Sequence, residues 1–400
     1  MNHVTNPIPS NSTKGSSRFD EGDFGEDYKT SWTLPSFWYT DKAVFEAEKD
    51  AIFYKSWRFV CHKNDLPKAG DYIAFNIMEE PIFVIRGKDM KLRAFFNVCQ
   101  HRAHKLLEGQ GNAKHAIVCP YHAWAYTAEG KFRKAPQSEF VQDFDPHAYN
   151  LKEVRLEEYA SFVFVNVDEN APPMETYAPG YEASIQAHFK DYDQVAYAEE
   201  QVYEIDANWK VVVENALEGY HFPYSGEYHR TLCDLVDPDK AETNLHQNWI
   251  ELYAPRGDIE KAPYALPEDE TVGTTSVFVT LFLSPDCLIY NWPNMSMISV
   301  FLVIPDGPEK SRVVNKYYFK PGEGNDKTTL EGMEWFNHGL GPEDASLNLG
   351  CQQGLRSRGY RAGRFMYHPD NSGLGEHGVH YFQKLVRNAV NGPANQTGSR

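Results

Sequence analysis

The sequence predicts an α+β protein of two domains: a β-rich N-terminal one, and a C-terminal one in which antiparallel strands are covered by helices. Three observations predict it. The 400 residues exceed what one hydrophobic core usually organises. Short runs of β-branched and aromatic residues, punctuated by turn signals, fill 70–98 and return at 159–169. Beyond a Pro-rich stretch, strand patterns at 279–320 give way to helical spacing at 326–358 and 374–390, and strands followed by helices indicate an α+β domain.

Taken in order, residues 1–35 are polar and Gly/Ser-rich at first, with no basic segment leading into an apolar core. They read as a flexible arm rather than a secretory signal. SFWYTDKAVFEAEKDAIFYKSWRFV (36–60) has apolar positions at helical spacing and ends in a Trp-containing extended piece. GDYIAFNI, PIFVIRG and KLRAFFNV follow as strands, and YASFVFVNVDE closes the first domain, expected over 36–170. APPMETYAPG connects it to the second domain, expected over 171–390. There, NWKVVVENALEGYH (208–221) has helical character, and the polar residues 391–400 read as a disordered tail.

A formal charge of −17 without basic runs argues against a nucleic-acid or anionic-membrane surface. No apolar run is long enough to span a bilayer, and 42% hydrophobic residues is the composition of a soluble globular chain. Six Cys in 400 residues form no dense disulfide framework. With no export signal the expected compartment is the cytoplasm, where thiols stay reduced and available to a metal.

Two Cys/His couples carry the first chemistry. Cys99-x-His101 and Cys119-x2-His122 each follow a strand, so loop tips would present them side by side. Thiolates and imidazoles suit zinc, copper or iron–sulfur clusters. A zinc site more often groups its two Cys together and its two His together. One Cys and one His from each loop suits two adjacent irons, one taking both thiolates and the other both imidazoles, as in a Rieske [2Fe–2S] cluster. His104 and His115 lack a Cys partner at such spacing and read as solvated or supporting residues. Cys61, Cys233, Cys287 and Cys351 read as structural thiols.

The second constellation is looser. His221 and His229 lie eight residues apart, Glu218 precedes His221 by three, and Glu343-Asp344 opens a later helical stretch. Two His and one carboxylate form the facial triad that holds Fe(II) with positions open for O2 and substrate. Taken singly, each His is equally a core or surface residue, and Asp344 is equally a helix cap.

On these residues, CQH…CPYHAW, NWKVVVENALEGYH, and the late ED…QQGLRSRGY and GEHGVHYFQKLVRNAV, the chain resembles the α subunits of Rieske non-heme iron oxygenases, the ring-hydroxylating family, over about residues 35–390. The final segment is most similar to the branch acting on choline, glycine betaine and carnitine. The resemblance implies a Rieske [2Fe–2S] domain and a helix-grip catalytic domain. It implies a head-to-tail homotrimer in which one subunit's cluster feeds the neighbour's iron. By position, Cys99, His101, Cys119 and His122 hold the cluster, His221 and Asp344 hold the mononuclear Fe(II), and Glu218 bridges a cluster His to an iron His. The family pattern places its second iron His at position 226, which is Gly here. His229 takes that role if Tyr-Ser-Gly-Glu is looped out, with His246 as the alternative.

The expected activity is hydroxylation of a small organic substrate by O2, with electrons from a separate flavin and iron–sulfur reductase, since neither GxGxxG nor a P-loop occurs here. The branch implies a quaternary or methylated amine, oxidised next to nitrogen or N-demethylated, which aromatic side chains could cage. The competing substrate is an aromatic carboxylate clamped by Arg256, Arg356 or Arg358. Two readings from other classes are a Rieske electron carrier lacking the mononuclear iron, and a zinc-stapled structural protein.

Overall fold

The computed structural model describes residues 18–369 and 372–392. Strands β1 (Arg58–His62), β2 (Asp71–Ile77), β3 (Glu80–Arg86), β4 (Leu92–Phe96), β5 (Gln110–Asn112), β9 (Glu153–Tyr159) and β10 (Phe162–Asn166) form one antiparallel sheet in the order β1-β10-β9-β4-β3-β2-β5. Between β5 and β9, the short strands β6 (Ile117–Val118), β7 (Ala125–Tyr126) and β8 (Phe132–Lys134) make a separate three-stranded sheet. Strands β2 to β4 sit where alternating β-branched and aromatic residues predict them.

The C-terminal sheet is a second antiparallel layer. It comprises β11 (Ala196–Ile205), β12 (Glu242–His246), β13 (Trp249–Ala254), β14 (Phe278–Leu283), β15 (Cys287–Asn291), β16 (Ile298–Gly307) and β17 (Lys310–Phe319), ordered β11-β17-β16-β15-β14-β13-β12. The central strands β14 and β15 are buried at every position, so their near-continuous apolar runs follow from cover on both faces. Among the described residues the α-helices are α1 (Lys42–Glu48), α2 (Met174–Tyr177), α3 (Tyr181–His188), α4 (Trp209–Asn215), α5 (Glu227–Leu235), α6 (Lys327–Trp335), α7 (Gly341–Leu355) and α8 (His377–Asn391). Helix α4 packs against both α7 and α8 beside the sheet, and a π-helical turn at Phe336–Leu340 joins α6 to α7. This is the expected α+β architecture.

Two expected boundaries are corrected. The flexible arm over 1–35 does not extend through its second half: Phe24 and Leu34 are buried in the C-terminal core, and the Leu34 N–H donates to Gln383 Oε1 of α8 at 2.8 Å. Residues 1–17 lie outside the described residues. The helical segment from 36, expected with the first domain, packs instead on the second, because its apolar face carries Val44, Phe45 and Phe53 into the core around Trp209 and Phe382. At the other end Asn391 still belongs to α8, and residues 393–400 are outside the described ones.

A buried ion pair fixes that segment. Lys210 Nζ of α4 meets Glu48 Oε1 of α1 at 2.6 Å, both side chains fully buried, and Trp209 Nε1 donates to Glu48 Oε2 at 2.8 Å. Glu48→Ala leaves a buried ammonium without a counter-charge, so it is expected to destabilise the fold by about 3–5 kcal/mol. Urea unfolding measures this, and Glu48→Ala/Lys210→Met should recover much of the loss.

Candidate active site

The two Cys/His couples lie on matching loops. The Cys99 N–H donates to the His104 carbonyl and the Cys119 N–H to the Trp124 carbonyl, while Ala103 and Ala123 return N–H bonds to Cys99 and Cys119. Ala103 and Ala123 both sit at positive φ, 57° and 55°, the strained conformation that turns each loop back on itself. Cys99 and Cys119 are buried at 2% exposure, whereas His101 is exposed and His122 half-buried. The two imidazoles lie 4.8 Å apart between ring centres, and His101 stacks on Trp124 at 4.7 Å.

This donor set fits a cluster with its thiolates inward and imidazoles outward. Burial raises the Cys99 thiol above its ordinary value, the Tyr126 hydroxyl 3.3 Å away draws it back, and the neighbouring Cys119 adds to the rise. A metal that takes both sulfurs as thiolates relieves that crowding. Both cysteines are free rather than joined in a disulfide.

The second site forms where α4, α5 and α7 converge. Helix α4 ends at Asn215, so Glu218 and His221 stand in the turns that follow rather than on the helix predicted over 208–221. They still meet: Glu218 Oε1 is hydrogen-bonded to His221 Nδ1, and Glu218 Oε2 accepts the His221 backbone N–H at 3.1 Å. His229 projects from α5 and is 1% exposed. Asp344 lies in the first turn of α7. One ligating atom from each of His221, His229 and Asp344 falls within 4.8 Å of the others. His229 Nε2 stands 2.9 Å and His221 Nε2 3.8 Å from Asp344 Oδ1.

A divalent cation fits this group. His221 Nε2 is buried with no hydrogen-bond partner among the described residues, and two imidazoles with one carboxylate are the donors a 2-His-1-carboxylate centre requires. Burial alone would lower the His229 pKa, but the carboxylates of Asp344 and Glu343 outweigh it and raise the group. His246 is not in this cluster: it lies on β12 and stacks on Trp249 at 3.8 Å.

Glu343 carries more than sequence reasoning assigned to it. Its Oε1 accepts from His229 Nδ1 and its Oε2 from the Tyr228 N–H, each at 3.0 Å. Each imidazole therefore has a carboxylate on Nδ1, Glu218 for His221 and Glu343 for His229, leaving each Nε2 for a metal. The adjacent acids at 343 and 344 were the only sequence signal for this. Gly226, where the family pattern expects His, caps α5, and a Cβ there would overlap the Glu343 carboxylate. Gly226→Ala is expected to push that carboxylate off His229 and weaken iron binding by about 10–100-fold. Metal titration measures the loss, and unchanged circular dichroism shows that the fold is retained.

A cavity of about 110 Å³ opens beside the cluster. Its walls are apolar, mixing aliphatic side chains with the rings of Tyr203, Phe222, Phe278, Tyr290, Trp292 and Phe336, and among the described residues no Lys or Arg lines it. None of the three arginines considered as clamps lines it: Arg256 donates to the Pro267 carbonyl at 2.7 Å, Arg356 to Glu309 at 2.8 Å, and Arg358 is exposed. A second, larger cavity of about 500 Å³ also reaches His221; its wall is mostly apolar but carries the carboxyls of Glu214, Glu218 and Glu376. Burial pushes Glu214 up to about 8 and Glu376 up to about 7.

The sequence profile of the family described as ring hydroxylating alpha subunit (catalytic domain) matches residues 192–392, and that of the Rieske [2Fe–2S] domain matches 56–145. The chain belongs to the Rieske non-heme iron oxygenases. It is 39% identical to the carnitine monooxygenase oxygenase subunit of Acinetobacter baumannii, over 91% of this chain and 96% of that one. To the chloroplastic choline monooxygenase of Atriplex hortensis it is 28% identical, over 88% of this chain and 76% of that one. The crystal structure of the quaternary ammonium Rieske monooxygenase CntA with L-carnitine superposes with a TM-score of 0.81 at 36% identity, covering 92% of this chain and 98% of that one. This Rieske oxygenase is therefore an oxidoreductase with a [2Fe–2S] cluster and a mononuclear iron as cofactors. Among the described residues no helix is long and apolar enough to cross a membrane.

Proposed function

We propose that this Rieske oxygenase hydroxylates a quaternary or methylated amine at a carbon bonded to nitrogen, so that the product releases an aldehyde and a smaller amine. The carrying observation is the apolar cavity beside His221, His229 and Asp344, which several aromatic rings face and no cationic side chain among the described residues lines. Aromatic faces attract an alkylammonium and exclude water, whereas an aromatic carboxylate would find no counter-charge there. The names of the carnitine and choline monooxygenases support the same substrate class.

In this reading Cys99, Cys119, His101 and His122 hold the cluster, and His221, His229 and Asp344 hold the iron. When bound, the iron supplies the dioxygen chemistry. The protein positions the reacting carbon, keeps water out, and holds each iron imidazole in one tautomer through Glu218 and Glu343. Electrons come from a separate reductase, by the family pattern. Within one chain the cluster and the iron site stand on different domains, which favours a head-to-tail trimer. The cluster tip exposes His101, Arg102, His104 and Lys105, and the larger cavity beside His221 offers Glu218 with the raised carboxyls of Glu214 and Glu376. An arriving cationic tip would favour their charged forms. A cytoplasmic location agrees with six unpaired cysteines.

The test is oxygen uptake by iron-replete protein with NADH and a surrogate reductase, across choline, glycine betaine, carnitine, γ-butyrobetaine and several aromatic acids. Amine-dependent uptake with stoichiometric aldehyde or formaldehyde is the expected result. Uptake with an aromatic acid alone overturns the amine reading.

A further inference from the structure

The wall of the substrate cavity holds a hydrogen-bond donor for which the described protein offers no acceptor. Trp292 directly follows β15, lines the cavity and is 6% exposed, and its Nε1 is buried without a partner. Other buried indoles do find acceptors. Trp38 and Trp57 donate to the carbonyls of Asp20 and Pro172, Trp209 to Glu48, Trp249 to the Pro179 carbonyl and Trp335 to Thr231 Oγ1, at 2.8–3.1 Å. An indole N–H only donates, so a buried one without a partner is a cost that the folded chain alone does not recover.

The ring is fixed by its neighbours. It stacks on Phe278 at 4.7 Å and stands edge-on to Trp335 at 5.4 Å and to Tyr290 at 6.2 Å. The Tyr290 hydroxyl, also on the cavity wall, already accepts from Asn315 Nδ2 at 2.9 Å. With no cation among the described lining residues, the wall presents neutral donors, which suit a hydroxyl oxygen or the carboxylate of a zwitterion whose own ammonium balances it.

We infer that the Trp292 indole N–H receives an oxygen of the substrate, so that the cavity selects quaternary amines bearing a hydroxyl or carboxylate over their apolar counterparts. Trp292 is thus a specificity-determining residue. The inference rests on the amine reading above and adds to it the oxygen-bearing end of the molecule.

The experiment is calorimetric binding to the iron-loaded, oxidised enzyme, without reductant. Choline is paired with propyltrimethylammonium, in which a methyl replaces the hydroxyl. γ-Butyrobetaine is paired with (4-methylpentyl)trimethylammonium, in which an isopropyl replaces the carboxylate. At least one oxygen-bearing member should bind about tenfold more tightly than its partner, and Trp292→Phe should bring that ratio close to one. Whichever pair responds identifies the oxygen as hydroxyl or carboxylate.

A ratio near one in the wild type overturns the inference while tight amine binding leaves the amine reading standing. A ratio that persists in Trp292→Phe also overturns it, because another group must then receive the oxygen. If no amine binds at all, both readings fall together. Should Trp292→Phe fold poorly, the 15N-labelled indole signal of Trp292 in the wild type gives the same answer. It should move downfield with the oxygen-bearing ligand and stay in place with its apolar partner; an unmoved signal sinks the inference.

Discussion

Replacing His229 with alanine is expected to remove the mononuclear iron and abolish turnover, whereas replacing His246 with alanine should leave both intact. His229 Nε2 lies 2.9 Å from Asp344 Oδ1 and its ring centre is 4.7 Å from that of His221, so the imidazole fills one corner of the ligand triangle. His246 is stacked on Trp249 away from it. The expected activity loss exceeds the 10–100-fold that removal of a supporting partner brings, the size expected for Glu343→Gln. Iron analysis should fall from about three to about two atoms per chain, counting two in the cluster. The red-brown absorption of the cluster should be unchanged. Three irons retained in His229→Ala would exclude this ligand set and revive His246.

Glu218→Ala is the second large effect. This carboxylate holds His221 through both Nδ1 and the backbone N–H, and it lines the larger second cavity rather than the aromatic one beside the ligand group. Its loss should leave the cluster spectrum and most of the mononuclear iron in place, while reoxidation of the reduced cluster by O2 and substrate slows by about a hundredfold or more. Stopped-flow absorbance at the cluster band measures this rate separately from substrate binding. Normal reoxidation with lowered affinity for iron would make Glu218 an orienting residue only. The variant should also be rescued in part by Glu218→Asp, which keeps a carboxylate near His221 Nδ1.

The legible parts of this protein are those whose determinants are local. The strands at 71–77, 80–86 and 92–96 announce themselves by alternation and turn residues. Each Cys/His couple lies within a single loop, so its spacing is a statement about geometry that a chain can make without tertiary contacts. The helix predicted over 208–221 was half right, because the turn at 216–221 has helical composition but must bend to bring Glu218 onto His221. The arm was misread for a different reason. Residues 18–35 look solvated by composition, yet Phe24 and Leu34 find an apolar groove supplied by α8, more than 340 residues away along the chain.

By itself, the sequence determined the class of chemistry: paired Cys/His loops, a later His and acidic pair, no nucleotide fingerprint, and an α+β pattern in two parts. Only the tertiary structure decided which second imidazole stands beside His221 and Asp344, and which of the two acids at 343 and 344 turns to His229 Nδ1 instead of to its Nε2. A ligand set drawn from α5 and α7 depends on how two helices more than 100 residues apart cross, and periodicity carries no information about that angle. The glycine at 226 makes the same point. It is a departure when counted along the chain, but in space it is the opening through which Glu343 reaches His229.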